Sequence, residues 1–325
     1  MSQLLSQGGF GCVYYPGITC KGKTNHNKSV VTKLQKKDFN AENEINIGKL
    51  IKKIPNYGFY FLPIISHCPI NIRNVDKKII SKCNVINMDI DSYILMDIPY
   101  IPNKPFFDIL IDTSEGKKQT ISRFINSFKY LLNSIHFLLE KKIVHYDLKG
   151  DNILYNTKTM EPQIIDFGIS IPIAQLTPEN RKEYFYVFAP EYYLWPLEVH
   201  IINFLLHYTE TDLTKEDALT IANLYADSNK SLLIFSDGFR AQFKNACTNE
   251  CLKYVKKNRN EVIDELIKYY VTWDNYALSA LYLRVYEYFF PLGFHRNTLL
   301  IHFSQLLLLN LNPNPDKRLS IKDTT

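Results

Sequence analysis

Residues 143–154 read "IVHYDLKGDNIL". A short apolar run delivers His145, Asp147, Lys149 and Asn152 into one loop, and a second apolar run leaves it. An aspartate can orient a hydroxyl and take its proton, a lysine can neutralise charge on a group in transfer, and an asparagine oxygen can hold Mg²⁺. Transfer of a phosphoryl group asks for such a set. Fourteen residues after Asn152, "IIDFG" (164–168) ends an apolar strand on Asp166, a carboxylate suited to a metal, followed by a glycine hinge. Near the N-terminus, "SQGGFGCV" crowds Gly8, Gly9 and Gly11 into one tight turn with Phe10 at its tip. Such a turn is either a plain hairpin or a flap whose backbone N–H groups approach phosphates. Between these segments lies Lys33, in "SVVTKL". Strand alternation points it to the same side as Val31, and an inward lysine needs an anion to meet it. Glu42 and Glu44 on the next segment are candidates; Glu44 shares a helical face with Ile47 and Ile51 and is the better placed.

The elements that must position these groups follow from periodicity. "LLS", "CVYY" and "SVVTKL" read as strands, with turns at 8–11 and 22–27. "NAENEINIGKLIKKI" (40–54) reads as a helix capped by Asp38 or Asn40 and ended by Pro55. "FYFLPIIS" and "DSYILMDI" read as two further strands. After Pro105 the pattern turns helical, with Phe124, Phe128, Leu131, Leu132, Ile135, Leu138 and Leu139 on one stripe. Two short strands, "NILYN" and "PQIIDF", follow, and helical patterns dominate from about residue 192, including one opened by a Thr214–Asp217 capping pair. Prolines 99, 102 and 105 cluster at the boundary of a β-rich and an α-rich part. The chain of 325 residues, 46% hydrophobic and 22% charged with net charge +5, has the balance of a globular protein with a sizeable core. The charge is too mild to argue for nucleic acid. No signal peptide is expected at "MSQLLSQGG", and "LLIHFSQLLLLNL" (299–311) is too short for a bilayer span and reads as a buried helix. The six cysteines read as reduced thiols of an intracellular, cytoplasmic protein; Cys247 and Cys251 stand at helical spacing but lack two more ligands for zinc.

With these segments in this order the chain resembles a eukaryotic-type serine/threonine protein kinase. The signatures stand as "SQGGFGCV", Lys33, Glu44, "HYDLKGDN", "DFG" and "APE" (189–191), and "WDNYALSALYL" (273–283) and "NPDKRLS" (314–320) resemble later kinase segments. The resemblance implies an α+β, two-lobed protein-kinase-like fold. A small antiparallel sheet with one main helix would form the N-lobe (1–98), and a mostly α-helical C-lobe (99–325) would carry a helical insertion at about 195–270. It implies ATP and Mg²⁺ as cofactors and protein substrates as partners, with no nucleic acid and no membrane segment; the oligomeric state stays open. Ser6, Gln7, Gly8, Gly9, Phe10, Gly11 and Val13 would cover the nucleotide, and Met96 and Asp97 would line the adenine. Lys33, paired to Glu44, would hold the α- and β-phosphates. Asp147 would act on the substrate hydroxyl and Lys149 on the γ-phosphoryl, while Asn152 and Asp166 would hold two Mg²⁺ ions. His145 would brace the loop, as would Asp274 from a helix, and Arg318 would pair with Glu191. All these groups would share one cleft.

Several positions depart from the pattern. Ser6 replaces the first glycine, and Tyr146 replaces an arginine that meets a phosphate on the activation segment, which predicts activity without phosphorylation there. Tyr184 stands where a threonine is usual before A-P-E. Pro99 removes a backbone donor to adenine and leaves the Asp97 carbonyl. Residues 192–273 separate A-P-E from Asp274, far longer than is usual. The lean Ile/Asn/Lys/Tyr-rich composition and "GGFGCVYYPGITC" resemble kinases of large DNA viruses. A catalytically weak pseudokinase scaffold is the alternative; its sign would be loss of Lys33, Asp147, Asn152 or Asp166, and all four are present.

Overall fold

The computed structural model describes residues 2–87 and 92–325. In chain order the elements are β1 (Gln3–Gln7), β2 (Gly11–Tyr15), β3 (Val30–Lys36), α1 (Phe39–Ile51), β4 (Ser66–Ile70), α2 (Lys77–Ile80), β5 (Tyr93–Pro99), β6 (Asn103–Pro105), α3 (Phe106–Ile111) and α4 (Lys117–Glu140). There follow β7 (Ile143–Val144), β8 (Ile153–Asn156), β9 (Glu161–Ile164), β10 (Ile171–Pro172), α5 (Arg181–Tyr184), α6 (Leu197–His207), α7 (Lys215–Ser228), α8 (Asp237–Leu252), α9 (Arg259–Ile267), α10 (Trp273–Phe289), α11 (Thr298–Asn310) and α12 (Ile321–Thr324). The chain divides into two compact units: residues 1–104 with 154–170, and residues 105–153 with 171–325.

The first unit is built on an antiparallel sheet of order β1-β2-β3-β5-β4. Side chains alternate across a strand, so β5 serves two cores at once. Ile94 and Met96 join Ala41, Ile45 and Ile64 on the α1 side. Tyr93 and Leu95 join Cys12, Tyr14, Ile18, Leu34 and a strap of Ile70, Ile72, Val75, Ile79 and Ile80 on the other. Both faces are covered, which is why β5 reads as an unbroken apolar run. Asp38 is the N-cap of α1, accepting from the Ala41 N–H at 3.0 Å. The strand expected at "FYFLPIIS" is instead a short helical turn at 57–59 and an irregular stretch, and pairing begins at Ser66. Pro63 interrupts it by removing a ladder donor. Asp91, at the head of "DSYILMDI", lies outside the described residues.

The cysteines correct the sequence reading. Cys12 bonds Cys83 and Cys20 bonds Cys68, with Cα atoms 6.1 and 6.0 Å apart. The first bond ties the far end of the strap to β2 and the second ties the loop after β2 to β4, so four of the six thiols are not free and the argument for a reducing compartment loses its premise. Sequence could not pair them, because the partners are 71 and 48 residues apart and the strap that joins them has no motif. Cys247 and Cys251 are buried free thiols of α8.

In the second unit α4 presents Phe124, Phe128, Leu131, Leu132, Ile135 and Leu138 to α10, which is buried along nearly its whole length. Phe124 meets the rings of Tyr282 and Phe289 at 4.9 Å each. The stretch 195–270, where a helical insertion is expected, contains α6 to α9, and the Thr214–Asp217 capping box is present at α7. The segment 299–311 is not fully buried: α11 sinks Leu300, Phe303 and Leu307 and exposes Leu299, Ile301 and Leu309. Among the described residues no helix is long and apolar enough to cross a membrane.

Alkylation of the chain unfolded in urea without reductant is expected to label two cysteines, and all six after reduction. Removing a native disulfide typically costs about 2–5 kcal/mol, so Cys12→Ser with Cys83→Ser is expected to lower the urea midpoint correspondingly.

Candidate active site

In the first unit the site is a buried cation between two carboxylates. Lys33 sits in β3 opposite Met96, on the α1 side of the sheet. Its Nζ lies 2.7 Å from Glu44 Oε2 and 2.9 Å from Asp166 Oδ1. Glu44 takes this position, while Glu42 turns outward towards Lys37. Burial by itself would lower the Lys33 pKa, but the charges of Glu44 and Asp166 outweigh it and push it up, so the ammonium stays charged. Burial raises Glu44, opposed by the Lys33 charge.

Asp166 follows β9 with φ +63°, a left-handed backbone that a non-glycine residue adopts at a cost and that marks functional positions. Phe167 is buried edge-on against Phe61, centroids 6.1 Å apart. Asn43 fixes the next residues, its Nδ2 donating to the Gly168 and Ser170 carbonyls at 3.0 and 2.7 Å. Sequence reasoning passed over Asn43; its signal was a polar residue on the buried side of α1, next to Glu44.

The glycine turn joins β1 to β2, and Gly8 N–H closes it on the Gly11 carbonyl at 3.0 Å. A Cβ on Gly11 would meet the Leu34 carbonyl at 2.6 Å, whereas Gly8 and Gly9 face open space. Gly11 is thus required by the approach of β3, and the two others leave room beside the turn. Ser6 and Phe10 are exposed, and Val13 stands opposite Lys33. Gln7 Oε1 accepts from the Asn84 N–H at 2.9 Å. Met96 is fully buried. The Asp97 carboxylate accepts from Thr32 and Ser66 hydroxyls at 3.0 and 2.7 Å, and its carbonyl already accepts from Ile65 N–H at 2.8 Å.

In the second unit the loop after β7 carries Asp147, Lys149 and Asn152 together. Asp147 Oδ2 accepts from Lys149 Nζ at 2.8 Å and from Asn152 Nδ2 at 2.9 Å. Asn152 Nδ2 also donates to the Asp147 carbonyl at 2.9 Å. A carboxylate at Asp166 and an amide oxygen at Asn152 are the hard oxygen donors Mg²⁺ takes, so each fits its expected ion. The loop is held from below. Asp274, the second residue of α10, accepts from the His145 N–H at 2.7 Å and the Tyr146 N–H at 3.0 Å. Burial raises the Asp274 pKa, opposed by His145 and these bonds. His145 Nδ1 accepts from the Asp147 N–H at 3.2 Å.

Tyr146 does not leave a gap where an arginine was expected. With φ +70° it lies buried, stacked on Trp195 at 4.6 Å, with Phe185 and Trp273 around it. Trp195 Nε1 donates to the Tyr146 carbonyl at 2.6 Å. Aromatic packing thus docks the segment that leads into α6.

Arg318 corrects a further expectation. Its partner is Glu198, with Nη1–Oε1 at 2.5 Å and Nη2–Oε2 at 2.8 Å, both side chains buried. Glu191 is exposed in a turn. The glutamate of "APE" at 189–191 is therefore not the partner of Arg318; the glutamate of "PLE" at 196–198 is. A guanidinium fork is chosen by geometry, not by the letters before the glutamate. Tyr184 is the last residue of α5. The Tyr192 hydroxyl lies next to Asp147, 2.5 Å from its Oδ1.

Residues 1–194 match the family model described as Protein kinase domain. A protein named as a probable inactive serine/threonine-protein kinase in Dictyostelium discoideum is 28% identical over 155 residues, 39% of this chain and 28% of that protein. Sperm motility kinase 2A of Mus musculus is 27% identical over 184 residues, covering 54% of this chain and 35% of the kinase. Mitogen-activated protein kinase kinase kinase 15 of Mus musculus is 32% identical over 88 residues, 27% of this chain and 6% of that protein. The matches span about a third or less of these relatives' own length.

Breaking a buried ion pair by removing one partner typically costs about 3–5 kcal/mol. Glu198→Gln is expected to destabilise the chain by that order in urea unfolding and Glu191→Gln by less than about 0.5 kcal/mol, as for a surface change. The reverse ranking would restore the pairing with Glu191.

Proposed function

Because the chain belongs to the protein kinase family, we propose that it transfers the γ-phosphoryl of Mg-ATP to serine and threonine hydroxyls of protein substrates. The observation that carries this reading is the Asp147 carboxylate with Lys149 and Asn152 around it, on a loop whose backbone Asp274 holds. Asp147 accepts the substrate hydroxyl proton. Lys149 neutralises charge on the phosphoryl in transfer, and Lys33, kept charged by Glu44, binds the α- and β-phosphates. Asn152 and Asp166 hold Mg²⁺, which when bound screens the phosphate oxygens. Gly8 to Gly11 cover the nucleotide. The "DLK" form of the loop favours serine and threonine over tyrosine as acceptors. Because Tyr146 and Trp195 dock the activation segment by stacking, no arginine–phosphate pair is required to hold it.

The test is purified chain with Mg²⁺ and labelled ATP on mixed proteins, with Asp147→Asn alongside. Phosphoserine and phosphothreonine are expected from the intact chain, and the variant is expected to lose about 10²–10⁴-fold in rate, the usual worth of a positioned base. Equal labelling by the two would trace the activity to a contaminant and leave a kinase fold without catalysis, in line with the word "inactive" in the name of the Dictyostelium relative.

A further inference from the structure

The excess of positive charge in this chain resides wholly in the first unit. Much of it stands on one surface, formed by the loop after β2 and by the strap between β4 and β5. The two are neighbours at the backbone. Gly22, with φ +75°, lies so close to the strap that a Cβ on it would meet the Asn74 carbonyl at 2.3 Å and the Val75 Cα at 3.0 Å. Lys21 and Lys23 flank it, both exposed. Just past Val75, α2 buries Ile79 and Ile80 and leaves Lys77 and Lys78 exposed, and Lys82 is exposed directly after it. Asp76 is the one acid in residues 19–28 and 66–87, and its carboxylate accepts from the Lys78 N–H at 2.9 Å as the N-cap of α2. Among the described residues no carboxylate pairs with any of these lysines. Like charges gathered without a counter-charge repel, and a bound polyanion relieves that repulsion.

The frame under the lysines is fixed. Thr19 N–H donates to the Lys23 carbonyl and Gly22 N–H to the Thr19 carbonyl, both at 2.8 Å, and Cys20–Cys68 ties this turn to β4. At the far end, Cys12–Cys83 and the Asn84 N–H on Gln7 Oε1 hold the strap to β2 and β1. Only side chains are left to order on binding, which keeps that cost low. The strap covers the sheet face opposite Lys33, so an occupant leaves Lys33 and Glu44 uncovered. No large apolar side chain is exposed in 19–28 or 66–87, so this surface has nothing to insert into a bilayer and no Phe, Tyr or Trp to stack on a base. What it offers is point charges on a rigid support, the complement of a row of carboxylates. We propose that this lysine face docks an acidic, extended segment of a protein partner.

The experiment uses the full oxidised chain and a fluorescein-labelled peptide of repeated Glu-Asp-Gly-Ser units, followed by anisotropy. Saturable binding is expected, weakening as salt rises from about 0.05 to about 0.3 M. Lys77→Glu with Lys78→Glu and Lys82→Glu is expected to bind at least about tenfold more weakly while its thermal unfolding stays that of the parent chain. Lys118→Glu with Lys141→Glu and Lys322→Glu, all exposed in the second unit, makes the same change of net charge and is expected to bind like the parent. Should the first triple variant fail to fold, Lys77→Gln with Lys78→Gln and Lys82→Gln takes its place, with the same direction of effect expected. Equal loss in the two Glu variants would reduce the effect to net charge and overturn the proposal, as would full binding by the first. A single-stranded oligonucleotide and phosphatidylserine vesicles are run beside the peptide and are expected to bind the parent and the first variant alike. Tighter binding of either than of the peptide, lost in the first variant, would assign the face to another partner and overturn the proposal. No binding of the peptide at the lower salt would overturn it outright.

Discussion

Asp274 is a carboxylate removed from water at the head of a helix that is itself buried nearly throughout. A charge so placed is tolerated only where donors meet it, and here the donors are the consecutive backbone N–H groups of His145 and Tyr146 in the loop after β7. The loop is thereby fixed at its backbone, and Asp147, one residue further on, is aimed by main-chain geometry before any of its own contacts count. Hydrogen bonds to a charged group are worth about 1.5–3 kcal/mol each, enough to hold Tyr146 at a positive φ. That same backbone turn carries the Tyr146 ring under Trp195, so the bracing of Asp147 and the docking of the segment that leads into α6 have one origin.

Buried charge organises the other sites by the same rule. Lys33 would be costly alone and is met by Glu44 and Asp166; Arg318 would be costly alone and is met by both oxygens of Glu198. In each case the partner comes from a distant element, so a single contact ties a helix to a strand or the end of a segment to residues over a hundred positions away. Desolvation makes such pairs poor contributors to net stability but strict arbiters of arrangement, because a wrong neighbour leaves a charge unanswered. The first unit adds a covalent device. Its strap of Ile70 to Ile80 covers an apolar sheet face; Cys12–Cys83 fixes its far end to β2, and Cys20–Cys68 ties the loop after β2 to β4, the strand from which the strap leaves.

Much of this was legible in the chain. Asp147, Lys149, Asn152 and Asp166 stand in short ordered motifs because their roles need fixed local spacing. Lys33 was readable as inward from strand alternation, and Glu44 as its partner from helical phase. The strands β2, β3 and β5 and the helices α4 and α7 were readable because their periods and caps are local properties. The strand expected at "FYFLPIIS" was not, since Pro63 and the demand of Phe61 and Leu62 for burial outweighed β propensity.

What the amino-acid sequence determined by itself was therefore the family, the fold class and the identity of the groups that stand in the kinase motifs, since each depends on residues close together or in a fixed order. Only the tertiary structure decided which glutamate meets Arg318, which cysteines bond, what packs around Tyr146, and which tyrosine touches Asp147. Those choices depend on distances across the fold. Glu191 sits in a better motif than Glu198 and Tyr184 in a better register than Tyr192, yet burial and hydrogen-bond geometry select the other of each pair.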